Sequence, residues 1–160
     1  MIRLATAEDI PQINVLRREV NDIHVQGKPE FFKPGFCREL QEHVNVYLES
    51  ENNYVAVEDR DGVITGMVMV DYIDKPENPY SFERRFVHIA EVCVLSSCRR
   101  QGVAHRLFKF VRRDALEKGY GRIELDVWAF NDALAFYEAE GFTVFRRFLE
   151  LDLNKGGRQP

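Results

Sequence analysis

The segment Arg99-Arg100-Gln101-Gly102-Val103-Ala104 follows a buried-type apolar run and opens a stretch with helical spacing. A strand-to-helix junction exposes backbone N–H groups that have no acceptor inside the helix, at the positive end of its dipole. Gly102 and Ala104 leave room for an anion to come close to the backbone. Arg99 and Arg100 add charge, and His105, Arg106 and Lys109 follow. Such a junction suits a pyrophosphate; an ordinary turn with a solvated basic face is the alternative. The pattern G-x-x-x-x-G-K-[ST] is absent, and only one of the three glycines of a dinucleotide fingerprint is present. Nucleoside-triphosphate and dinucleotide loops of those two kinds are therefore excluded.

Two carboxylates interrupt apolar runs. Glu91 lies within FVHIAEVCVL and Asp126 within ELDVW. Burial raises a carboxylate's pKa and makes it a better base; a structural ion pair is the competing reading for each. Glu91 is the preferred base. His88, three residues before Glu91, falls on the opposite pleat face of a regular strand and reads as structural.

The elements that must position these groups can be read from periodicity. Met1 to Leu4 is a short strand. Thr6 caps a helix whose face carries Ile10, Ile13, Leu16, Val20 and Ile23. Residues 25–36 form an aromatic loop with Phe31, Phe32 and Phe36, and Cys37 to Leu48 a second helix. Tyr54–Val57 and Val63–Ile73 are strands joined by an Asp61-Gly62 hairpin turn, where both residues want positive φ. A polar loop, 74–84, leads to the strand Phe86–Leu95. The spacing of Val103, Leu107, Phe110, Val111 and Ala115 predicts a helix ended by Gly119. Strand Arg122–Ala129, helix Asn131–Glu140 and a last strand Phe142–Leu153 complete the chain.

The length of 160 residues and a 45% apolar, 30% charged composition fit one globular domain with a real core. The expected boundaries are a domain over 1–154 and a flexible tail over 155–160. A net charge of −4 argues against general nucleic-acid binding and suits a cationic small-molecule partner better. Three cysteines without a C-x-x-C pair argue against a disulfide framework or a zinc site, and no metal is expected. Cys93 reads as a small buried hydrophobe. No signal peptide or bilayer-length apolar run is present, which makes a reducing cytoplasmic setting the default.

R-R-Q-G-V-A after a V-C-V strand, followed by N…A-F-Y-E-x-x-G-F, resembles the GNAT superfamily of acyl-CoA N-acyltransferases. The opening IRLATAEDIPQI is similar to its first strand and helix, and the likeness is densest from Val87 to Phe142. The resemblance implies a single α/β domain, with a mixed, mostly antiparallel sheet flanked by helices. It implies acyl-CoA between two splayed strands, with the backbone of Val92, Cys93 and Val94 pairing with the pantetheine arm. The N–H groups around Arg100, Gln101, Gly102, Val103 and Ala104, joined by His105, would hold the pyrophosphate, with Arg99 beside them. Asn131 would touch the pantetheine, and Tyr137 would sit near the thioester sulfur. Asn131 is one residue closer to Tyr137 than the family's N-x-x-A-x-x-x-Y, and a helix N-cap is its alternative role. Asp126 resembles in position the base of enzymes that acetylate ribosomal-protein N-termini, where the residue is Glu.

The implied reaction is direct transfer of an acetyl group from acetyl-CoA to a primary amine in a ternary complex, without metal. An ammonium cannot attack a thioester, so a base or a water must take a proton. A phenol, with a pKa of about 10, is protonated at neutral pH and can donate to the departing thiolate. That role suits Tyr137. The acceptor stays open between a peptide terminus, lysine, polyamine, aminoglycoside and small metabolite, and a homodimer also stays open. The rival from another class is a non-catalytic acyl-CoA-binding sensor or regulatory module, which needs neither base nor Tyr137.

Overall fold

The computed structural model describes residues 1–154; the expected tail, 155–160, lies outside the described residues. The chain divides into two compact units, Met1–Phe130 and a second beginning at Asn131.

The first unit is built on a five-stranded sheet in the order β1-β2-β3-β4-β5. Its strands are β1 (Ile2–Leu4), β2 (Asn53–Arg60), β3 (Val63–Lys75), β4 (Arg84–Val94) and β5 (Ile123–Leu125). The first four pair antiparallel and β5 joins β4 in parallel. The mostly antiparallel sheet of the expected α/β fold is thus present. Helices α1 (Ile10–Gly27) and α2 (Arg38–Leu48) supply Ile13, Leu16, Val44 and Tyr47 to a core shared with Val55, Val57, Met67, Met69 and Cys93. The other face of β3 receives α3 (Val103–Glu117), whose Val103, Leu107, Phe108, Val111 and Ala115 are buried.

Local signals explain the joints. Asp61 and Gly62 have φ of 53° and 86°, the left-handed pair that a tight hairpin demands. Thr6 and Asp9 form a capping box around a single 3₁₀ turn, and α1 starts at Ile10. Helix α3 ends as its glycine foretells. Gly119 N–H bonds Leu116 C=O at 3.1 Å and Tyr120 N–H bonds Ala115 C=O at 2.8 Å, a Schellman pair.

Several expectations are corrected. Strand β5 is three residues long, not 122–129, because its ladder with β4 covers only Val87–Ile89. In the second unit the helix is α4 (Leu134–Ala139), shorter than 131–140. Asn131 is not its N-cap: its Oδ1 accepts the Ala133 N–H at 2.9 Å, an Asx turn that holds the chain out of helix until Ala133. Phe142–Leu153 is not a strand. A strand exists through its ladder, and no ladder joins this segment to another among the described residues. Its Val144, Phe145, Phe148 and Leu149 are exposed.

The N-terminus is pinned by charge. Arg3 reaches Asp9 at 2.7 Å and Asp59 at 2.8 Å, tying β1 to the turn before α1 and to the β2–β3 hairpin. The hydrogen bonds from Arg3 hold the Asp9 carboxyl at a pKa of about 2 against the opposing push of burial. A folded pKa below the unfolded one stabilises above the unfolded value and is lost as pH falls through the folded one. Denaturant titrations should therefore show about 2 kcal/mol lost between roughly pH 5 and pH 2 through this group. Asp9→Asn should be less stable at neutral pH and flatter over that range. Equal slopes would remove Asp9 from the acid response.

Candidate active site

Strand β4 carries an extra residue. Met69 of β3 pairs with Glu91, but the next residue, Val70, pairs with Ile89, leaving Ala90 as a bulge. The ladder with β5 stops at Ile89↔Leu125. Beyond it, Glu91, Val92, Cys93 and Val94 pair with β3 only, among the described residues. The edge facing away from β3 is therefore available to an extended ligand backbone.

The chain then enters the basic junction. Leu95 N–H bonds Thr65 C=O at 3.0 Å, and Glu19 of α1 accepts from Ser96 through both N–H (3.0 Å) and Oγ (3.2 Å). Arg100 and Gly102 take φ of 59° and 75°, so the backbone turns sharply twice before α3. A non-glycine residue in that region is strained, and such turns aim successive N–H groups inward.

Much of the predicted loop chemistry is structural. Arg99 Nε bonds Val94 C=O at 3.3 Å, and its Nη2 lies 3.6 Å from Glu19. The Gln101 amide bonds Ser97 C=O at 3.0 Å and accepts from Arg60 at 3.0 Å. Arg106 grips Glu58 through two bonds of 2.9 and 2.8 Å. Glu58 is 2% exposed and also holds Arg60 at 2.7 Å. Burial pushes its pKa up, but the two arginines outweigh that and hold it below the ordinary range. Glu19 and Glu58 were not picked out from sequence; nothing local marks a carboxylate whose partner lies 48 or 77 residues along the chain.

Gly66 fixes how closely α3 approaches. A Cβ there would stand 2.5 Å from Val103 Cγ1, 3.1 Å from Cys93 O and 3.2 Å from Leu107 Cδ1. The first turn of α3 thus rests on bare backbone of β3.

The face of β4 toward α1 and α2 carries the titratable groups. Glu91 Oε2 pairs with Arg17 Nε at 2.9 Å, and Cys93 Sγ lies 3.4 Å from Glu91 Oε1. Arg17 is 5% exposed and also bonds Leu40 C=O. Burial, then the charge of Glu91, pushes the Cys93 thiol well up, so it stays a neutral packing group. His88 does not lie on the opposite face from Glu91. Their β3 partners, Asp71 and Met69, are two residues apart and share a face, because the Ala90 bulge shifts the alternation by one. His88 Nδ1 lies 3.2 Å from Asp71 and Nε2 3.8 Å from Asp126. Asp126 sits just past the end of β5, with its side chain 79% exposed.

An aromatic wall adjoins this face. His24 stacks on Phe32 at 5.1 Å, Phe31 and Phe32 meet Trp128 at 5.4 and 5.0 Å, and Trp128 stacks on Phe130 at 5.8 Å. A Cβ on Gly27 would come within 2.3 Å of the Phe130 ring, so that glycine admits the wall. Burial lowers the His24 pKa, with Glu91 opposing. The aromatic loop expected over 25–36 therefore begins one turn later, after α1, and its rings gather the segment that follows β5.

In the second unit, Tyr137 is buried on α4 and its ring meets Phe142 at 5.9 Å. Phe142 N–H bonds Tyr137 C=O at 2.9 Å and Gly141 N–H bonds Glu138 C=O at 2.9 Å. The Y-x-x-x-G-F pattern is thus a Schellman cap with its apolar contact.

A family model described as Acetyltransferase (GNAT) family matches residues 18–142. The chain belongs to the GNAT acetyltransferase family. Human N-acetyltransferase 8 is 25% identical over 114 residues, 71% of this chain and 48% of that protein. This GNAT chain thus spans about half the length of the curated relative it matches. A variant of the BH1408 protein from Bacillus halodurans superposes with a TM-score of 0.92 at 26% identity, over 96% of this chain and 99% of that one. The aminoglycoside acetyltransferase AAC(6')-Iy, solved with a CoA–acetylneamine bisubstrate analogue, shares the fold at a TM-score of 0.74 and 20% identity, over 95% and 96%. No helix of the described residues is long and apolar enough to cross a membrane.

Gly66→Ala should force Val103 and the first turn of α3 outward. Such overpacking costs about 1–3 kcal/mol, read as a lower Tm. Calorimetric CoA affinity should fall more in Gly66→Ala than in Gly121→Ala, whose Cβ meets nothing within 4 Å. Equal CoA affinity in the two would detach ligand binding from this contact.

Proposed function

We propose that the protein transfers an acetyl group from acetyl-CoA directly to a primary amine, both bound at once. The observation that carries this reading is the unpaired end of β4 running into a doubly turned helix N-terminus, in a chain of the GNAT family. The backbone of Val92, Cys93 and Val94 serves as a strand-like partner for the pantetheine amides. The amides from Arg100 to His105 take the pyrophosphate, with Arg100 as exposed cation. Arg99, Gln101 and Arg106 support this reading by holding the loop in shape rather than by charge alone.

Chemistry then needs three things: a donor array for the oxyanion, removal of a proton from the ammonium, and protonation of the leaving sulfur. Tyr137 is assigned the last role and Asn131 a pantetheine contact, both from the motif they occupy. Glu91 and Asp126 are the carboxylates that serve the acceptor. The exposed Asp126 carboxylate and the aromatic wall favour a cationic amine, by charge and by cation–π attraction. Lys28 supports this preference, since its ammonium lies 5.7 Å from the Phe31 ring and 5.9 Å from the Trp128 ring. The AAC(6')-Iy complex is support for an amine acceptor only at the level of fold.

The test pairs binding with turnover. Wild-type protein should bind CoA in calorimetry and release free thiol from acetyl-CoA when given primary amines. Gly102→Glu puts a carboxylate and side-chain bulk into the helix N-terminus at φ 75°. It should lower CoA affinity by roughly 100-fold or more, a cost of about 3 kcal/mol, while the sheet still folds. Unchanged CoA affinity in a folded Gly102→Glu protein would contradict the pyrophosphate assignment.

A further inference from the structure

The bulge at Ala90 does more than open the strand edge. It brings Glu91 onto the face that carries the directly paired His88 and Asp71, at the last rungs of the β4–β5 ladder. Around the His88 imidazole, the carboxylates of Glu91, Asp71 and Asp126 are the rivals for the role of proton acceptor. Each carboxylate has a different commitment. Glu91 has both oxygens occupied, by Arg17 at 2.9 Å and by the Cys93 thiol at 3.4 Å. Asp71 is 18% exposed and bonds His88 Nδ1 at 3.2 Å. Asp126 lies past the end of β5 with its side chain 79% exposed, at the mouth of the face rather than within it.

Resting on the transfer reaction proposed above, we propose that His88 is the base, with Asp71 as its positioning residue. An ionised carboxylate only accepts, so Asp71 holds the ring proton on Nδ1 and leaves the Nε2 lone pair free. Nε2 points toward Asp126, 3.8 Å away, on the open side of the face. A cationic amine drawn to Asp126 comes within reach of Nε2. The N–H bond of the ammonium breaks and an Nε2–H bond forms. The neutral amine attacks the thioester carbonyl carbon, a C–N bond forms, and the C–S bond breaks. Tyr137, in the role proposed above, gives its O–H proton to the departing sulfur and recovers the second proton of the new amide nitrogen, and His88 returns its own proton to solvent. The balance is amide, free thiol and one proton. The arrangement of base and orienting carboxylate is that of a catalytic triad without its nucleophile.

The other charged or titratable groups on this face are Tyr47 of α2, Arg17 and His24 of α1, Arg84 and Glu91 of β4, and Glu124 of β5. Tyr47 has its phenol pushed up by burial and by the Asp71 charge, so it stays protonated beside that carboxylate. Arg84 and Glu124 neutralise one another. Glu91 and Arg17 do the same. Asp71 and Asp126 are the carboxylates nearest the two imidazole nitrogens, at 3.2 and 3.8 Å.

Two measurements test this. In ¹⁵N-resolved NMR of neutral wild-type protein, His88 should carry its proton on Nδ1, and Asp71→Asn should mix the tautomers. A proton fixed on Nε2 would overturn the proposal without any assay. In turnover, acetyl-CoA is used with cadaverine, phenethylamine and a free-amine tripeptide as probe acceptors. His88→Gln should lower kcat by roughly 100- to 10,000-fold at near-wild-type CoA affinity, and should erase the His88 step from the pH–rate profile. Asp71→Asn should give a smaller loss with that step displaced. Glu91→Gln should keep the step. A folded His88→Gln protein with wild-type kcat and profile would overturn the base and leave acetyl transfer standing. Wild-type protein that binds no acetyl-CoA and acetylates none of the acceptors would instead sink the transfer reading, while the tautomer measurement would still judge the Asp71–His88 pair.

Discussion

One unpaired residue, Ala90, governs the working end of the sheet. Strand pairing has a period of two, so an inserted residue moves every side chain beyond it to the other face. Without the bulge, Glu91 and Cys93 would face α3 instead of Arg17, and the Arg17 guanidinium would be buried without its carboxylate. The same irregularity lies where the β4–β5 ladder ends. The buried Glu91–Arg17 pair, and its place on one face with the directly paired His88 and Asp71, follow from it, and the available edge begins beside it.

The loop after β4 depends on a second constraint, the bareness of Gly66. Val103 and Leu107 can settle on β3 only because no Cβ is there. Glu58 then ties the first turn of α3 to β2 through Arg106, and Glu19 ties Ser96, just after β4, to α1. These contacts hold a strained backbone, with Arg100 left-handed, in a shape suited to an anion. Charges that look in sequence like a basic ligand patch are therefore divided. All three arginines are exposed, but Arg99 and Arg106 brace the loop through Val94 and Glu58, which leaves Arg100 for the ligand.

Most of the first unit was legible because its signals are local. Asp61-Gly62, the Thr6–Asp9 box and Gly119 each specify a backbone geometry that the fold contains. What escaped depends on partners far along the chain. The Ala90 bulge leaves no mark in FVHIAEVCVL, so parity placed His88 on the wrong face. The apolar run 142–153 reads as a strand, yet a strand needs a ladder partner that local sequence does not encode. Of the site, the junction 99–105 and the carboxylates Glu91 and Asp126 were found by residue type. Asp71, Glu19 and Glu58 were not, since each works across the sheet or from another element.

Backbone amide exchange with and without acetyl-CoA tests most directly whether the open end of β4 and the α3 junction form one binding surface. Saturating acetyl-CoA should slow exchange in two segments together, Glu91–Val94 and Gln101–His105. The far end of the same strand, Arg84–Val87, should change little. Binding seen by calorimetry with both segments unprotected, or protection confined to another part of the sheet, would contradict that assignment.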